Sequence, residues 1–210
     1  VLAPNSYLHS GTISGNTATQ DGGGVYGSLL YILGGTVSGN RADESGGGIF
    51  ANEITLEGGM IDSNTAGEYG GGIRTEQDFE INGGTADGNT ATDGGSVYIL
   101  GEAQLNAGDV TGNTATVNGG GVYSTGVASV GSIVISGNTA ENNGGGLYGA
   151  NVTLVIGATV DQNTATAGYG GGIYSGGNFS MQSGTISNNT AANGGGISTQ
   201  GEIDFNQGSI

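Results

Sequence analysis

The stretch GTISGNTATQDGGGVYG, Gly11 to Gly27, is dominated by glycine and small polar residues, yet close variants of it recur along the whole chain. The asparagine of its "GNTA" returns as Asn16, Asn40, Asn64, Asn89, Asn113, Asn138, Asn163 and Asn189. The spacing is 24 to 26 residues throughout. A fixed period of this length marks a stacked repeat array, in which no unit buries its apolar face alone.

Alignment on the asparagine turns a weak pattern into columns. Three residues before it stand Ile13, Val37, Ile61, Ala86, Val110, Ile135, Val160 and Ile186. Two residues after it stands alanine in every repeat, from Ala18 to Ala191. Each glycine cluster is followed by Val25, Ile49, Ile73, Val97, Val122, Leu147, Ile173 or Ile197. A further segment alternates apolar and polar residues, as in Leu30/Ile32, Ile54/Leu56, Phe79/Ile81, Ala103/Leu105, Ala128/Val130, Phe179/Met181 and Ile203/Phe205.

Period-two alternation specifies half-buried strands. The fold class is therefore all-β: a parallel β-helix, or β-solenoid, of about eight coils of 24–26 residues with three short strands per coil. Stacked at about 4.8 Å, eight coils rise roughly 38 Å. Glycine clusters serve the corners, and the repeated asparagines are expected to form a side-chain amide ladder that satisfies buried polar groups. In the sixth coil, Val152, Leu154 and Ile156 stand one position out of phase. That predicts either a bulge near Ile156 or an apolar face turned outward. Leu29, Tyr31 and Leu33 raise the same question in the first coil. Residues 1–210 read as one β-helix domain, and Gly208-Ser209-Ile210 resembles the start of another repeat, as expected of a segment of a longer chain.

Composition narrows the partners. Two arginines, no lysine and 18 acidic residues give a net charge of −16, which opposes nucleic acid and anionic membrane surfaces. Without cysteine there is no disulfide, thiol nucleophile or zinc knuckle. No apolar run has membrane-spanning length, so this segment is expected not to insert in a membrane.

The I/V-x-x-N-x-A motif ("ISGNTA", "VSGNRA", "IDSNTA"), followed by "GGGVY" or "GGGIF", resembles the repeats of polymorphic outer-membrane proteins. That resemblance implies a right-handed, single-stranded parallel β-helix serving as passenger or adhesin, extracellular or on the cell surface of a bacterium. The expected function is a non-enzymatic, rigid structural or adhesin segment. Its expected partners are a host-surface protein or glycan, or neighbouring copies stacked end to end.

Other β-helices are polysaccharide-degrading enzymes, which need clustered carboxylates or calcium with a basic residue. Here His9 is the sole histidine, Arg41 and Arg74 lie in different repeats, and N-T-A stands where polygalacturonases carry N-T-D. No catalytic residue, metal site or cofactor is assigned. The densest acidic group, Glu76, Asp78 and Glu80 beside Glu53, Glu57 and Glu102, reads as a solvated face, with a weak divalent-cation site as the alternative.

Two outward columns are candidates for binding. The residue after each buried Val/Ile of the glycine segment is Tyr26, Phe50, Arg74, Tyr98, Tyr123, Tyr148, Tyr174 or Ser198. Such an aromatic stripe stabilises neighbouring coils, and it is also suited to sugars or an apolar protein surface. A second column follows the asparagine, with T-x-T units at Thr17/Thr19, Thr90/Thr92, Thr114/Thr116 and Thr164/Thr166. Ordered T-x-T arrays resemble ice-binding faces, the alternative function; ordinary strand propensity also accounts for them. Polysaccharide binding or degradation is the second alternative.

Overall fold

Each coil chains short strands through tight corners, and each strand lies directly above its counterpart in the preceding coil. The computed structural model describes residues 5–210, which contain strands and no helix. The second coil is typical, with strands Thr36–Ser38, Arg41–Ala42, Ile49–Ala51 and Glu53–Leu56. All four pair in parallel with both neighbouring coils. Val37 lies between Ile13 and Ile61, and Ala42 between Ala18 and Ala66. Ile49 lies between Val25 and Ile73, and Ile54 between Leu30 and Phe79.

Three strands per coil, as the alternation requires, join a 21-stranded sheet; the short segment after the asparagine builds a separate 8-stranded sheet. The columns aligned from sequence are the core. Val37, Ile61, Ala86, Val110, Ile135 and Val160 are fully buried, as are Ile49, Ile73, Val97, Val122, Leu147 and Ile173. Each large aliphatic contributes about 1.5–3 kcal/mol by leaving water. The ends differ because a coil needs a neighbour on both sides. Ile13, Val25 and Ile197 are only partly covered, and Ile203 and Phe205 are 59% and 45% exposed although they pair in register with Phe179 and Met181.

The asparagine column forms the expected ladder at each corner. Asn64 donates from its backbone N–H and its side-chain amide to Oδ1 of Asn89 (2.9 and 3.1 Å), and its second amide hydrogen goes to the Val37 carbonyl (2.9 Å). Asn40, Asn89, Asn113, Asn138 and Asn163 repeat the arrangement. All six are 0–1% exposed, so each buried amide is satisfied along the axis and across the coil.

The glycine cluster makes the next corner. Gly119 has φ +64°, in the left-handed region, and a Cβ on Gly120 would collide with the Gly145 carbonyl oxygen of the following coil.

The sixth coil carries the expected bulge near Ile156, and only the phase of the two residues before it differs from the sequence reading. Val152 and Leu154 are in phase: they pair with Ala128 and Val130 below and with Phe179 and Met181 above, and both are buried. The bulge lies just after them, around Ile156. From Leu154 to Thr159 the sixth coil uses one residue more than the fifth does from Val130 to Val134 or the seventh from Met181 to Thr185. A separate shift lies upstream, between Ser124 and Val127, where the fifth coil has one residue more than the sixth. A strand absorbs an extra residue most readily at a corner, where pairing is already interrupted. Ile156 does turn outward, at 65% exposure. In the first coil Leu30 and Ile32 face the core, leaving Leu29 and Tyr31 half-exposed and Leu33 43% exposed. Ile133, fully buried, fills a corner position held by Gly35, Gly59, Gly84 and Gly108 in earlier coils, and the strand Val122–Ser136 runs on unbroken through it.

Candidate functional site

The aromatic stripe is one continuous stack. Register places Tyr26 beside Phe50, then Arg74, Tyr98, Tyr123, Tyr148, Tyr174 and Ser198, one coil apart. Tyr26 stacks on Phe50 at 5.1 Å between centroids and 2° between planes. Tyr98, Tyr123, Tyr148 and Tyr174 follow at 4.8, 4.4 and 4.9 Å. The strand spacing of about 4.8 Å matches the separation at which aromatic rings attract one another.

Arg74 fills the rung between Phe50 and Tyr98. Its guanidinium carbon lies 5.8 Å from the Phe50 centroid and 4.9 Å from the Tyr98 centroid, a cation–π contact on both faces. One terminal nitrogen donates to the Thr75 carbonyl and the other to Glu76 Oε1 at 3.0 Å, while the buried Nε has no partner. The sequence places all seven stripe residues on one face. What it could not show is that their flat faces are turned along the axis, toward each other. Solvent meets edges and hydroxyls. Phe50, Arg74 and Tyr174 are 9%, 7% and 8% exposed, whereas Tyr26, at the start of the stack, is 56% exposed.

Burial, above all, raises the phenol pKa of Tyr98, Tyr123 and Tyr148. Arg74 pulls against that shift at Tyr98, while for Tyr123 the adjacent Tyr148 and Tyr98 reinforce it. These phenols are neutral hydrogen-bonding groups, not bases.

The first threonines of the T-x-T units keep their column. Thr17, Arg41, Thr65, Thr90, Thr114, Thr139, Thr164 and Thr190 stack in turn. The second threonines, Thr19, Thr92, Thr116 and Thr166, do not form the expected rank, and the structure corrects the sequence reading at each. Thr19 lies beyond the end of its strand, Thr17–Ala18, exposed in the bend that follows, so it has no place in the sheet. Thr116 is exposed within the strand Thr114–Asn118, but it pairs in register with no residue of either adjacent coil. Its pairing toward the sixth coil ends at Ala115 with Ala140, and toward the fourth coil the register slips between Ala91 and Asp93. Thr92 and Thr116 both fall inside that slip and are not paired in register. The Thr92 hydroxyl donates instead to the Gly67 carbonyl (2.8 Å), and that of Thr166 to the Ala140 carbonyl (3.3 Å), just before a second slip after Ala165. The physical reason is common to all four. The common register ends at the alanine. The strand Thr17–Ala18 stops there. Where the strands Thr90–Asp93, Thr114–Asn118 and Thr164–Tyr169 run on, segments of unequal length oppose one another and the register slips. An Arg41–Asp43 ion pair of 2.8 Å further interrupts this face in the second coil.

The acidic residues are dispersed into separate tasks. Glu76 holds Arg74, Asp78 accepts from the Glu102 backbone N–H (2.9 Å), and Glu57 and Glu80 accept from Asn82 and Asn106 (3.0 and 3.2 Å). Among the described residues no three acidic or histidine side chains gather as a metal site. His9 is exposed, 6.0 Å from the Tyr7 ring.

A second polar ladder escaped the sequence reading. Asn118 donates from its backbone and amide nitrogens to Asp93 Oδ1 (2.9 and 3.1 Å), Asn143 does the same to Asn118 Oδ1 (3.2 and 3.1 Å), and the Tyr169 N–H reaches Asn143 Oδ1 (3.1 Å). These residues immediately precede the glycine cluster. The column mixes Asp, Ser, Tyr and Asn, and this variety concealed it.

Comparison with known proteins agrees with this architecture. The family model for the Chlamydia polymorphic membrane protein repeat matches residues 10–28, 109–125 and 132–150. Each match runs from the segment before the asparagine corner through the glycine cluster. No curated protein and no solved structure matches the chain. The matched repeat is that of a bacterial surface family. The chain is a β-solenoid, and three of its eight repeats match the polymorphic membrane protein repeat.

Proposed function

We propose that this chain is a non-enzymatic, rigid structural and adhesive segment of a bacterial surface protein, displayed outside the cell. The observation that carries this reading is the uninterrupted asparagine ladder from Asn16 to Asn189. It ties every coil to the next and fixes the outward columns at strand spacing. A surface held this way loses little conformational entropy when a partner docks. The dispersed carboxylates and the exposed His9, beside the Tyr7 ring, support a role without acid–base chemistry.

Adhesion is assigned to the stripe edge formed by Tyr98, Tyr123 and Tyr148. The test is binding of the purified chain to host cells or extracellular matrix, wild type against a Tyr98→Ala/Tyr123→Ala double variant. The double variant is expected to keep its strand signal and bind at least about tenfold more weakly, as when central aromatic contacts are lost. Undiminished binding by the folded variant would remove the stripe from the adhesion reading. Hydrolysis or elimination on any of a panel of polysaccharides would overturn the non-enzymatic assignment.

A further inference from the structure

The aromatic stack ends at a rung without a ring. Tyr174 pairs in register with Ser198, so above its outer face the next coil supplies a hydroxymethyl group instead of an aromatic. Beside this step stands Tyr169, 49% exposed, in the corner position before the glycine cluster. The equivalent corner residue of the third coil, Tyr69, leans on the stripe ring of the following coil, Tyr98, at 4.6 Å and 44°. Tyr169 has no such ring to lean on, because the following stripe residue is Ser198. The result is an open notch of about 200 Å³ lined by Tyr169, Tyr174, Ser198, Thr199 and Gln200.

We infer that this notch binds a single neutral saccharide ring. Pockets for drug-sized ligands start at roughly 300 Å³, so a 200 Å³ notch suits one ring. Its open aromatic surface is the Tyr169 ring, since Tyr174 is 8% exposed. It pairs that ring with neutral hydrogen-bonding groups, the two features that suit a pyranose's C–H face and its hydroxyl rim. Gln200 Nε2 donates to the Tyr174 hydroxyl at 2.7 Å, which leaves the Gln200 carbonyl oxygen, the Tyr174 proton and the Ser198 hydroxyl for a ligand. Thr199 is already committed, donating to the Gly177 carbonyl and accepting from the Gly201 N–H.

Charge selects further. No charged side chain lines the notch, and the chain carries a net −16, so an acidic sugar is disfavoured. A purely apolar ring, such as a partner's phenylalanine, would cover the Ser198 and Gln200 groups without bonding them, and that is costly. The inference deepens the display reading above, on which it rests only for surface presentation.

The experiment is an NMR titration of the whole chain with neutral monosaccharides (glucose, galactose, mannose, fucose, N-acetylglucosamine and N-acetylgalactosamine), with sialic acid and phenol as contrasts. At least one neutral sugar should shift Tyr169, Ser198 and Gln200, with a dissociation constant on the order of millimolar. Ser198→Tyr, which supplies the missing rung, should abolish the shifts while raising or preserving the melting temperature. Gln200→Ala should weaken binding with the fold intact, and it decides the matter if Ser198→Tyr misfolds. No shift with any neutral sugar, a preference for sialic acid or phenol, or binding that survives both substitutions would overturn the inference. The Tyr98→Ala/Tyr123→Ala variant should keep its sugar response, because Tyr148 separates the nearer substitution from Tyr174. Loss of adhesion and loss of sugar binding are therefore separate results.

Discussion

Asn113 Oδ1 accepts two hydrogen bonds from Asn89, one from the backbone N–H at 2.8 Å and one from the side-chain amide at 3.1 Å. One buried oxygen thus satisfies two donors of the coil before it. Its own amide closes the bond to the Ala86 carbonyl (3.0 Å) and continues the ladder to Asn138 (2.9 Å).

Asn113→Ala therefore strands two buried donors and a carbonyl at once, at a cost of about 2 kcal/mol or more. Because stacked coils are coupled mainly to their neighbours, the damage should concentrate around that corner. Native-state hydrogen exchange is expected to show amides of the fourth and fifth coils losing protection before those of the first and eighth. Uniform loss across all coils would contradict nearest-neighbour coupling.

Arg74 is a buried cation with an unpaired Nε, held between Phe50 and Tyr98. Arg74→Tyr restores the stack and removes the buried charge, so it should stabilise by about 1 kcal/mol. Arg74→Ala leaves a gap in the stack and should destabilise by a similar amount or more. Denaturant midpoints of the two variants on opposite sides of wild type would bear this out; two destabilised variants would show that the arginine is preferred at this rung.

Adjacent glycines should respond differently. Gly120→Ala drives a Cβ into the backbone of the next coil and should cost about 3 kcal/mol or more. Gly121→Ser should cost less than Gly120→Ala, since its Cβ would meet the Gly146 carbonyl oxygen at 2.7 Å, less closely than a Cβ on Gly120 would meet that of Gly145. Ser96 also already occupies the matching place in the fourth coil, with its hydroxyl 3.3 Å from the Asn89 amide. Thermal melts of the two variants make the comparison.

Stability should fall at both pH extremes for opposite reasons. Burial raises the Tyr98, Tyr123 and Tyr148 pKa above the ordinary 10.0, so their contribution is complete below pH 10 and lost as pH rises through the folded values. Hydrogen bonds from Asn188, Ser187 and Gln162 hold Asp161 below its ordinary 3.8, so its contribution is present above that value and lost as pH falls through the folded one. Replacing the three tyrosines with phenylalanine should flatten the alkaline limb of a stability–pH curve, and Asp161→Asn should flatten the acid limb. An alkaline limb unchanged in the triple variant would mean that other groups set it.

The repeat spacing, the inward columns, the asparagine ladder and the composition of the stripe could all be read from Asn16, Ile13, Ala18, Val25 and their successors. A parallel stack repeats one local decision in every coil, so a residue's column is fixed by counting. Counting fails where a corner changes length. Val152 and Leu154 looked displaced when counted from the following asparagine, because an extra residue at the Ile156 corner separates them from Thr159. Thr19 and Thr116 looked aligned for the converse reason: they share a sequence offset, but the strand has ended at one and the register has slipped beside the other. Counting fails again where a column shares geometry without sharing a residue type, as along Asp93, Asn118, Asn143 and Tyr169. The sequence by itself determined which side chains of the paired strands point outward at each coil. Only the tertiary structure decided how they meet, because ring orientation depends on the neighbour one coil away. Stacking turned the tyrosine faces onto each other and buried Arg74 between two rings, and the absence of a ring at Ser198 left a notch above Tyr174.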